Sequence, residues 1–331
     1  MRLEIQVAPP FRFDFVASYL ATSPSAIVET VIDGVYFRAF QAPGGVAVVR
    51  AAPLEDRLDI SIDGPGADAA ALDIASAIVS RAFGLDAPVP TDGEVARIAE
   101  RDPAIGRLLH QYRGLRPLTI PDPFEATIWA ILGQQVNIAF AARMKRALVD
   151  ARGRRVHAFG RPHTLFPEPG QLATLTIDEA RQLQISRQKA SYVAAIARAV
   201  VDGQFNFASL RDLGDNAAIA ALTTIRGVGQ WTAEYVLLRG LGRQDVFPAG
   251  DAGQRAALRR LYGLSSDPDE REMRLRAKAW MPWRGLVAFY LWFALQRGDI
   301  GAGQATRSTK PSGTQNVSPS SARISTAGAS D

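Results

Sequence analysis

The feature that most constrains this chain is a glycine-rich stretch at residues 222–251, LTTIRGVGQWTAEYVLLRGLGRQDVFPAGD. Within it, Ile225–Gly229 has the composition of a tight hairpin, and Trp231–Leu241 has the spacing of a helix. A hairpin between two helices leaves N–H groups free at the start of the second helix, where the helix dipole also favours an anion. The stretch therefore predicts a turn that holds one phosphate, such as a phosphate of DNA.

A carboxylate follows this predicted helix. Asp251 ends a turn through Pro248 and Gly250. It lies about 15 Å, or one helix length, beyond the hairpin, and it could reach a nucleotide that the hairpin holds. Asp251 is also suited to be the N-cap of a helix that begins at Ala252, and the two roles are compatible.

The order Gly-Val-Gly, Trp-Thr-Ala-Glu-Tyr and a downstream aspartate resembles the helix-hairpin-helix/Gly-Pro-rich-loop/Asp signature of base excision DNA glycosylases. Within that superfamily, the chain is most similar to the bacterial inducible 3-methyladenine DNA glycosylases of type II. The resemblance covers residues 1–300. It implies an α+β fold, in which a small N-terminal antiparallel β-sheet domain with helices precedes a two-lobed, all-α helix-hairpin-helix glycosylase bundle.

The first 88 residues support the sheet, because apolar residues alternate in short runs such as Leu3–Val7 and Leu58–Ile62. Residues 162–176 have the composition of a loop. We expect an N-terminal α+β domain (1–88), a helical glycosylase region (89–300) with one lobe at 117–240 and a second at 89–116 plus 241–300, and a disordered tail (301–331).

The resemblance also implies two groups of DNA-binding residues. Gly227 and Gly229 are expected to allow positive φ and the close approach of a phosphate. Gln135 has the position of the wedge that enters the minor groove and fills the hole left by a flipped base, although a plain turn between helices is an alternative. The implied contacts are Gly227, Val228, Gly229 and Thr232 in the hairpin, and Gln134 and Gln135 in the loop.

One metal site is implied by the resemblance alone. The main-chain carbonyls at the positions of Thr223, Ile225 and Val228 would hold a monovalent cation, Na⁺ or K⁺. No other cofactor is expected. The chain has no cysteine for an iron–sulfur cluster or a thiolate zinc site, and its three histidines have no ligand spacing with carboxylates.

The resemblance gives Asp251 the catalytic role, because a carboxylate can stabilise the oxocarbenium character that develops on the sugar when an N-glycosidic bond breaks. Trp231 and Tyr235 share one face of the predicted helix. With Trp292, they are expected to form a pocket whose aromatic faces attract a positively charged alkylated base. Such residues are also common in ordinary cores, and we expect Trp280 and Trp283 to belong to a core.

Trp231 stands where superfamily members that nick DNA carry the lysine that forms a Schiff base with the sugar. This replacement favours a monofunctional enzyme that uses water and leaves an abasic site. Alternatives are a glycosylase for oxidised or deaminated bases, which a substrate panel would identify, and a non-catalytic helix-hairpin-helix DNA-binding protein. Asp251 argues against the last, since a carboxylate beside phosphates does not help binding.

The net charge of +5 fits a polyanionic partner, and we expect that partner to be double-stranded DNA containing alkylated bases. No run approaches the roughly 18 apolar residues of a membrane span. The expectation is a monomer in the bacterial cytoplasm that associates with the nucleoid when it is on DNA.

Overall fold

The computed structural model of the protein describes residues 1–24 and 26–300, so the tail predicted for residues 301–331 lies outside the described residues. An antiparallel five-stranded sheet forms the N-terminal part, with the order β1-β5-β4-β3-β2. Its strands are Arg2–Gln6 (β1), Glu29–Ile32 (β2), Val35–Ala42 (β3), Gly45–Leu54 (β4) and Arg57–Asp63 (β5).

Helices make up most of the remaining described chain, which confirms the predicted α+β class. They are Phe13–Thr22 (α1), Ala69–Ala82 (α2), Asp92–Arg101 (α3), Pro103–Gln111 (α4), Pro123–Gly133 (α5), Ile138–Arg152 (α6), Pro169–Ala173 (α7), Ile177–Gln182 (α8), Arg187–Val201 (α9), Asp215–Thr223 (α10), Gln230–Arg239 (α11), Ala252–Tyr262 (α12), Glu270–Ala277 (α13) and Arg284–Arg297 (α14). None of these helices is long and apolar enough to cross a membrane.

The loop predicted for residues 162–176 is wrong in part, because only residues 165–168 and 174–176 lie outside helices and strands. Two short strands, Arg155–Ala158 (β6) and Arg161–Thr164 (β7), pair antiparallel, and α7 follows them. The hairpin packs Val156, Ala158 and Leu165 against the large sheet, in one cluster with Phe37, Ala39 and Val48. Burial against the sheet therefore overrides the weak local preference of a proline- and arginine-rich segment.

Two apolar cores account for most of the interior. The first joins the sheet to α4, α12 and α14, and the second lies among α5, α6, α9, α10 and α11. Because the first core is continuous from the sheet into the helices, the domain boundary at residue 88 stays a prediction. Trp280 and Trp283 are buried in this first core, as expected, and the Trp280 indole donates to Asp102 at 2.8 Å.

Buried charges connect the sheet to the second core. The Arg38 guanidinium on β3 contacts Glu29 at 2.8 Å and also pairs with Glu125 on α5, whose other oxygen accepts from the Lys145 ammonium on α6 at 2.6 Å. The side chains of Glu125 and Lys145 are fully buried. Since each charge has an opposite partner, the network holds α5 and α6, and so the loop between them, at a fixed place beside the sheet.

Candidate active site

The hairpin between α10 and α11 has the predicted form. Ile225 N–H donates to Leu222 O at 3.1 Å, and Val228 N–H donates to Ile225 O at 3.0 Å. Gly227 has φ +93°, and a Cβ at this position would lie 2.3 Å from the Tyr192 ring. Backbone conformation and packing thus both require glycine at 227.

Gly229 differs from the expectation. Its φ of −92° and ψ of −178° are open to any residue, so the predicted positive φ is wrong here. A Cβ at 229 would meet no atom within 4 Å, and no side chain among the described residues caps the first turn of α11. Glycine at 229 therefore leaves open space in front of free N–H groups, which is what the approach of an anion requires.

The loop after α5 lies against this hairpin. The Gln134 side-chain amide donates to Gly227 O at 2.8 Å and to Thr232 Oγ1 at 3.1 Å. Thr232 is only 2% exposed, so its hydroxyl connects the two loops and does not lie on the surface. Gln135 extends from the same loop with a positive φ of 55°, in the left-handed region that costs energy for a residue with a side chain.

A groove of about 630 Å³ separates the two loops. Its lining includes Gln134 and Gln135 from the loop after α5, residues 223–229 of the hairpin, and Lys189 of α9. The Lys189 ammonium donates to Leu132 O at 2.6 Å, and partial burial lowers the pKa of Lys189. Five of the six predicted DNA-binding residues therefore share one concave surface, and the buried Thr232 does not reach it.

Asp251 lies in a second group of predicted residues. Its Oδ1 caps α12 by accepting from Gln254 N–H at 2.9 Å, which confirms the predicted N-cap. The Trp292 indole N–H also donates to Oδ1, at 2.9 Å, and the Trp231 indole N–H donates to Oδ2 at 3.1 Å. Two tryptophans from different helices thus converge on one carboxylate.

Tyr235 completes this aromatic group. Its ring centroid lies 5.7 Å from that of Trp231 and 5.8 Å from that of Trp292. Burial raises the pKa of Tyr235, so its hydroxyl stays neutral at physiological pH. The structure therefore brings Asp251, Trp231, Tyr235 and Trp292 together as one cluster of a carboxylate and three aromatic rings.

Two residues beside this cluster escaped prediction. Trp129 on α5 is buried in the same apolar cluster as Tyr235, and the Lys145 ammonium lies 5.6 Å from its ring centroid. Gly253 lies in the first turn of α12, next to both Asp251 and Trp292. A buried tryptophan and a helical glycine carry no local signal in the sequence of the side chains that pack against them.

Two family profiles match the chain. The profile of the HhH-GPD superfamily base excision DNA repair proteins matches residues 128–282, and that of the AlkA N-terminal domain matches residues 2–121. The first includes the hairpin and Asp251, and the second includes the five-stranded sheet.

Several curated relatives of the chain are named as DNA-3-methyladenine glycosylases. DNA-3-methyladenine glycosylase of Bacillus subtilis (strain 168) is 33% identical over 198 residues, which are 60% of this chain and 65% of that protein. DNA-3-methyladenine glycosylase 2 of Escherichia coli (strain K12) is 29% identical over 287 residues, which are 86% of this chain and 94% of that protein. This chain spans less than two thirds of the length of several relatives, namely 65%, 56% and 57% in three cases.

A solved structure, 3-methyladenine DNA-glycosylase from Archaeoglobus fulgidus, is similar with a TM-score of 0.76 and 24% identity. The similarity covers 89% of this chain and 98% of that one. At this identity the likeness supports the fold alone, and it agrees with the predicted sheet domain and helical bundle.

Proposed function

The chain belongs to the HhH-GPD superfamily of base excision DNA repair proteins, and on that premise we propose that it is a monofunctional DNA glycosylase. It would hydrolyse the N-glycosidic bond of alkylated bases, such as 3-methyladenine and 7-methylguanine, in duplex DNA. The observation that carries this proposal is the Asp251 carboxylate, which lies among the aromatic side chains of Trp231, Tyr235 and Trp292.

The reaction would proceed on a nucleotide turned out of the duplex, which costs a few kcal/mol in unstacking. The bond between C1′ and the base nitrogen breaks, and its electron pair leaves with the base. Positive charge builds on the sugar, and the Asp251 carboxylate stabilises that charge. A water oxygen then bonds to C1′ and loses its proton, for which Asp251 is the nearby base.

The aromatic group would select the base by its charge. Alkylation of a purine nitrogen places a positive charge on the ring, and an aromatic face attracts such a cation by roughly 0.5–2 kcal/mol. Tyr235 stays neutral and Trp231 and Trp292 carry no charge, so none of the three repels a cationic base. A pocket of this kind favours charged bases that leave readily over any single hydrogen-bonding pattern.

Trp231 also indicates which product the reaction would give. It occupies the position at which a Schiff-base lysine would stand, and its indole is committed to Asp251 at 3.1 Å. With no amine at this position, the sugar would be attacked by water, and the product would be an intact strand that carries an abasic site.

The DNA would lie across the hairpin and the Gln134–Gln135 loop. We propose that the free N–H groups after Gly229 hold one phosphate and that Gln135 is the wedge. The oxygens of Thr223, Ile225 and Val228 would hold a Na⁺ or K⁺ ion. This donor set fits, since hard cations prefer neutral oxygen ligands, and within the described residues no hydrogen bond to Thr223 O or Val228 O is seen.

We propose a monomer that needs no cofactor other than this cation. We also propose an N-terminal domain of residues 1–88, one lobe of residues 117–240 and a second lobe of residues 89–116 and 241–300, with the Asp251 cluster between the two lobes.

The deciding experiment measures free bases released from methylated duplex DNA, with oxidised and deaminated duplexes alongside. Release of 3-methyladenine and 7-methylguanine is the expected result. Release from the oxidised or deaminated duplexes alone would favour the alternative glycosylase, and tight binding to abasic-site DNA without any release would favour a non-catalytic DNA-binding protein.

A further inference from the structure

The backbone conformation at residue 253 does not require glycine. Gly253 lies in the first turn of α12, where the helical conformation suits any residue. Glycine at a helical position is up to about 1 kcal/mol less favourable than alanine. The residues that pack against position 253 offer a reason for the missing side chain.

The space above Gly253 is occupied by Asp251 and Trp292. A Cβ at residue 253 would lie 3.0 Å from Asp251 Oδ1, and 3.3 Å from both Cδ1 and Nε1 of Trp292. These separations are shorter than ordinary van der Waals contact, so the carboxylate, the indole or both would have to move by a few tenths of an ångström. The Trp292 indole thus lies directly on the bare backbone at 253.

This close approach is what lets the indole reach the carboxylate. Oδ1 of Asp251 accepts from Trp292 Nε1 and from Gln254 N–H, both at 2.9 Å, and Oδ2 accepts from Trp231 Nε1 at 3.1 Å. A carboxylate oxygen has two lone pairs. Both lone pairs of Oδ1 accept hydrogen bonds, and one lone pair of Oδ2 stays free. The three donors therefore fix the plane of the carboxylate and aim a single free lone pair.

We propose that Gly253 is a positioning residue for the reaction. By leaving room for the Trp292 indole, it lets the two tryptophans hold the carboxylate in the orientation in which its free lone pair faces the sugar or the water. Trp231 and Trp292 thus act through their N–H groups as well as through their ring faces. This inference rests on the proposed glycosylase function.

The test is Gly253→Ala, with Gly93→Ala as a matched control. Gly93 also lies in a helix, α3, and a Cβ there would meet no atom within 4 Å. Single-turnover base release by Gly253→Ala should fall about ten- to a hundredfold, because small misplacements of reacting groups have effects of this size. Its affinity for abasic-site DNA should be unchanged, and its Tm should equal or exceed that of the wild type. Gly93→Ala should match the wild type in rate.

A double-variant cycle separates positioning from plain crowding. Trp292→Phe keeps an aromatic ring but removes the N–H, so in that background adding Gly253→Ala should cost much less than it costs in the wild type. An equal cost in both backgrounds would overturn the inference, as would a normal rate in Gly253→Ala. A parallel loss of Tm and DNA affinity would also overturn it, because it would show a structural role. If the wild type released no base, the proposed function itself would fail.

Discussion

The two glycines of the hairpin should respond to substitution in opposite ways. Gly229→Val places its side chain in open space on an allowed backbone, so the fold should tolerate it, with a loss of at most about 1 kcal/mol from a poorer N-cap. The same side chain would stand in front of the free N–H groups of α11. Losing hydrogen bonds to a charged phosphate costs about 1.5–3 kcal/mol, which is about ten- to a hundredfold in Kd.

Gly227→Ala should instead damage the protein. Its Cβ would overlap the Tyr192 ring at 2.3 Å on a backbone with φ +93°. Overpacking of this kind costs about 1–3 kcal/mol, and a left-handed conformation about 1–2 kcal/mol more. We expect a clearly lower Tm for this variant.

The assay for the pair is thermal unfolding together with titration of a duplex that carries an abasic-site analogue, at several salt concentrations. Gly229→Val should weaken binding to all duplexes alike. It should leave the slope of log Kd against log salt unchanged, because no cationic side chain is lost. Arg226→Ala, at the exposed tip of the hairpin, should lower that slope by about one. Unchanged affinity of a well-folded Gly229→Val protein would refute the phosphate anchor.

Two further predictions concern the product of the reaction and the pH dependence of the protein's stability. Borohydride should trap no covalent adduct on a damaged duplex, and the strand should stay intact without added base. A trapped adduct or spontaneous nicking would reveal a lysine nucleophile. Burial opposes the ionisation of Glu125, but the charges of Arg38 and Lys145 outweigh it and lower the pKa of Glu125 below its ordinary value of 4.5. A lowered pKa gives stability that is present above about pH 4.5 and is lost as the pH falls through the lowered pKa. The Tm should therefore drop in this acidic range, and a Tm that stays constant down to pH 3 would contradict the prediction.

Local patterns were enough to predict the strands of the sheet, the hairpin at residues 225–229 and the N-cap of Asp251, because each depends on residues close together in the chain. The pairing of β1 with β5 joins distant residues such as Arg2 and Ser61, and no local pattern predicts it. Gly227 needed its positive φ, as expected from a hairpin. Gly229 did not, because it is the N-cap of α11 and has the extended backbone of that position. Nothing in a Gly-X-Gly pattern tells the two cases apart.

Contacts between distant residues lay beyond such patterns. The Trp292 indole reaches Asp251 from 41 residues away, and the Gln134 amide reaches Thr232 from 98 residues away. The β6–β7 hairpin forms because it is buried against the sheet, and its own residues do not favour it. The role of Gly253 can be inferred only from the position of the Trp292 side chain.

The catalytic role of Asp251 is tested most directly by single-turnover base release by Asp251→Asn. Asparagine keeps one oxygen for the Gln254 N–H and so preserves the cap, but it removes the negative charge and leaves one of the two indole N–H groups without an acceptor. Asp68→Asn, at the N-cap of α2, controls for loss of charge at a cap, since Asp68 also accepts from an N–H of the first turn, that of Ala71 at 2.7 Å.

Release by Asp251→Asn should fall by about 10²–10³-fold, the usual effect of removing one electrostatic stabiliser. Tm should be close to that of the wild type, and DNA affinity should be equal or slightly higher. The residual rate should be highest for 7-methylguanine, whose cationic base leaves most readily. A well-folded Asp251→Asn protein that releases 3-methyladenine at the wild-type rate would show that the Asp251 carboxylate is not catalytic and serves only as the cap of α12.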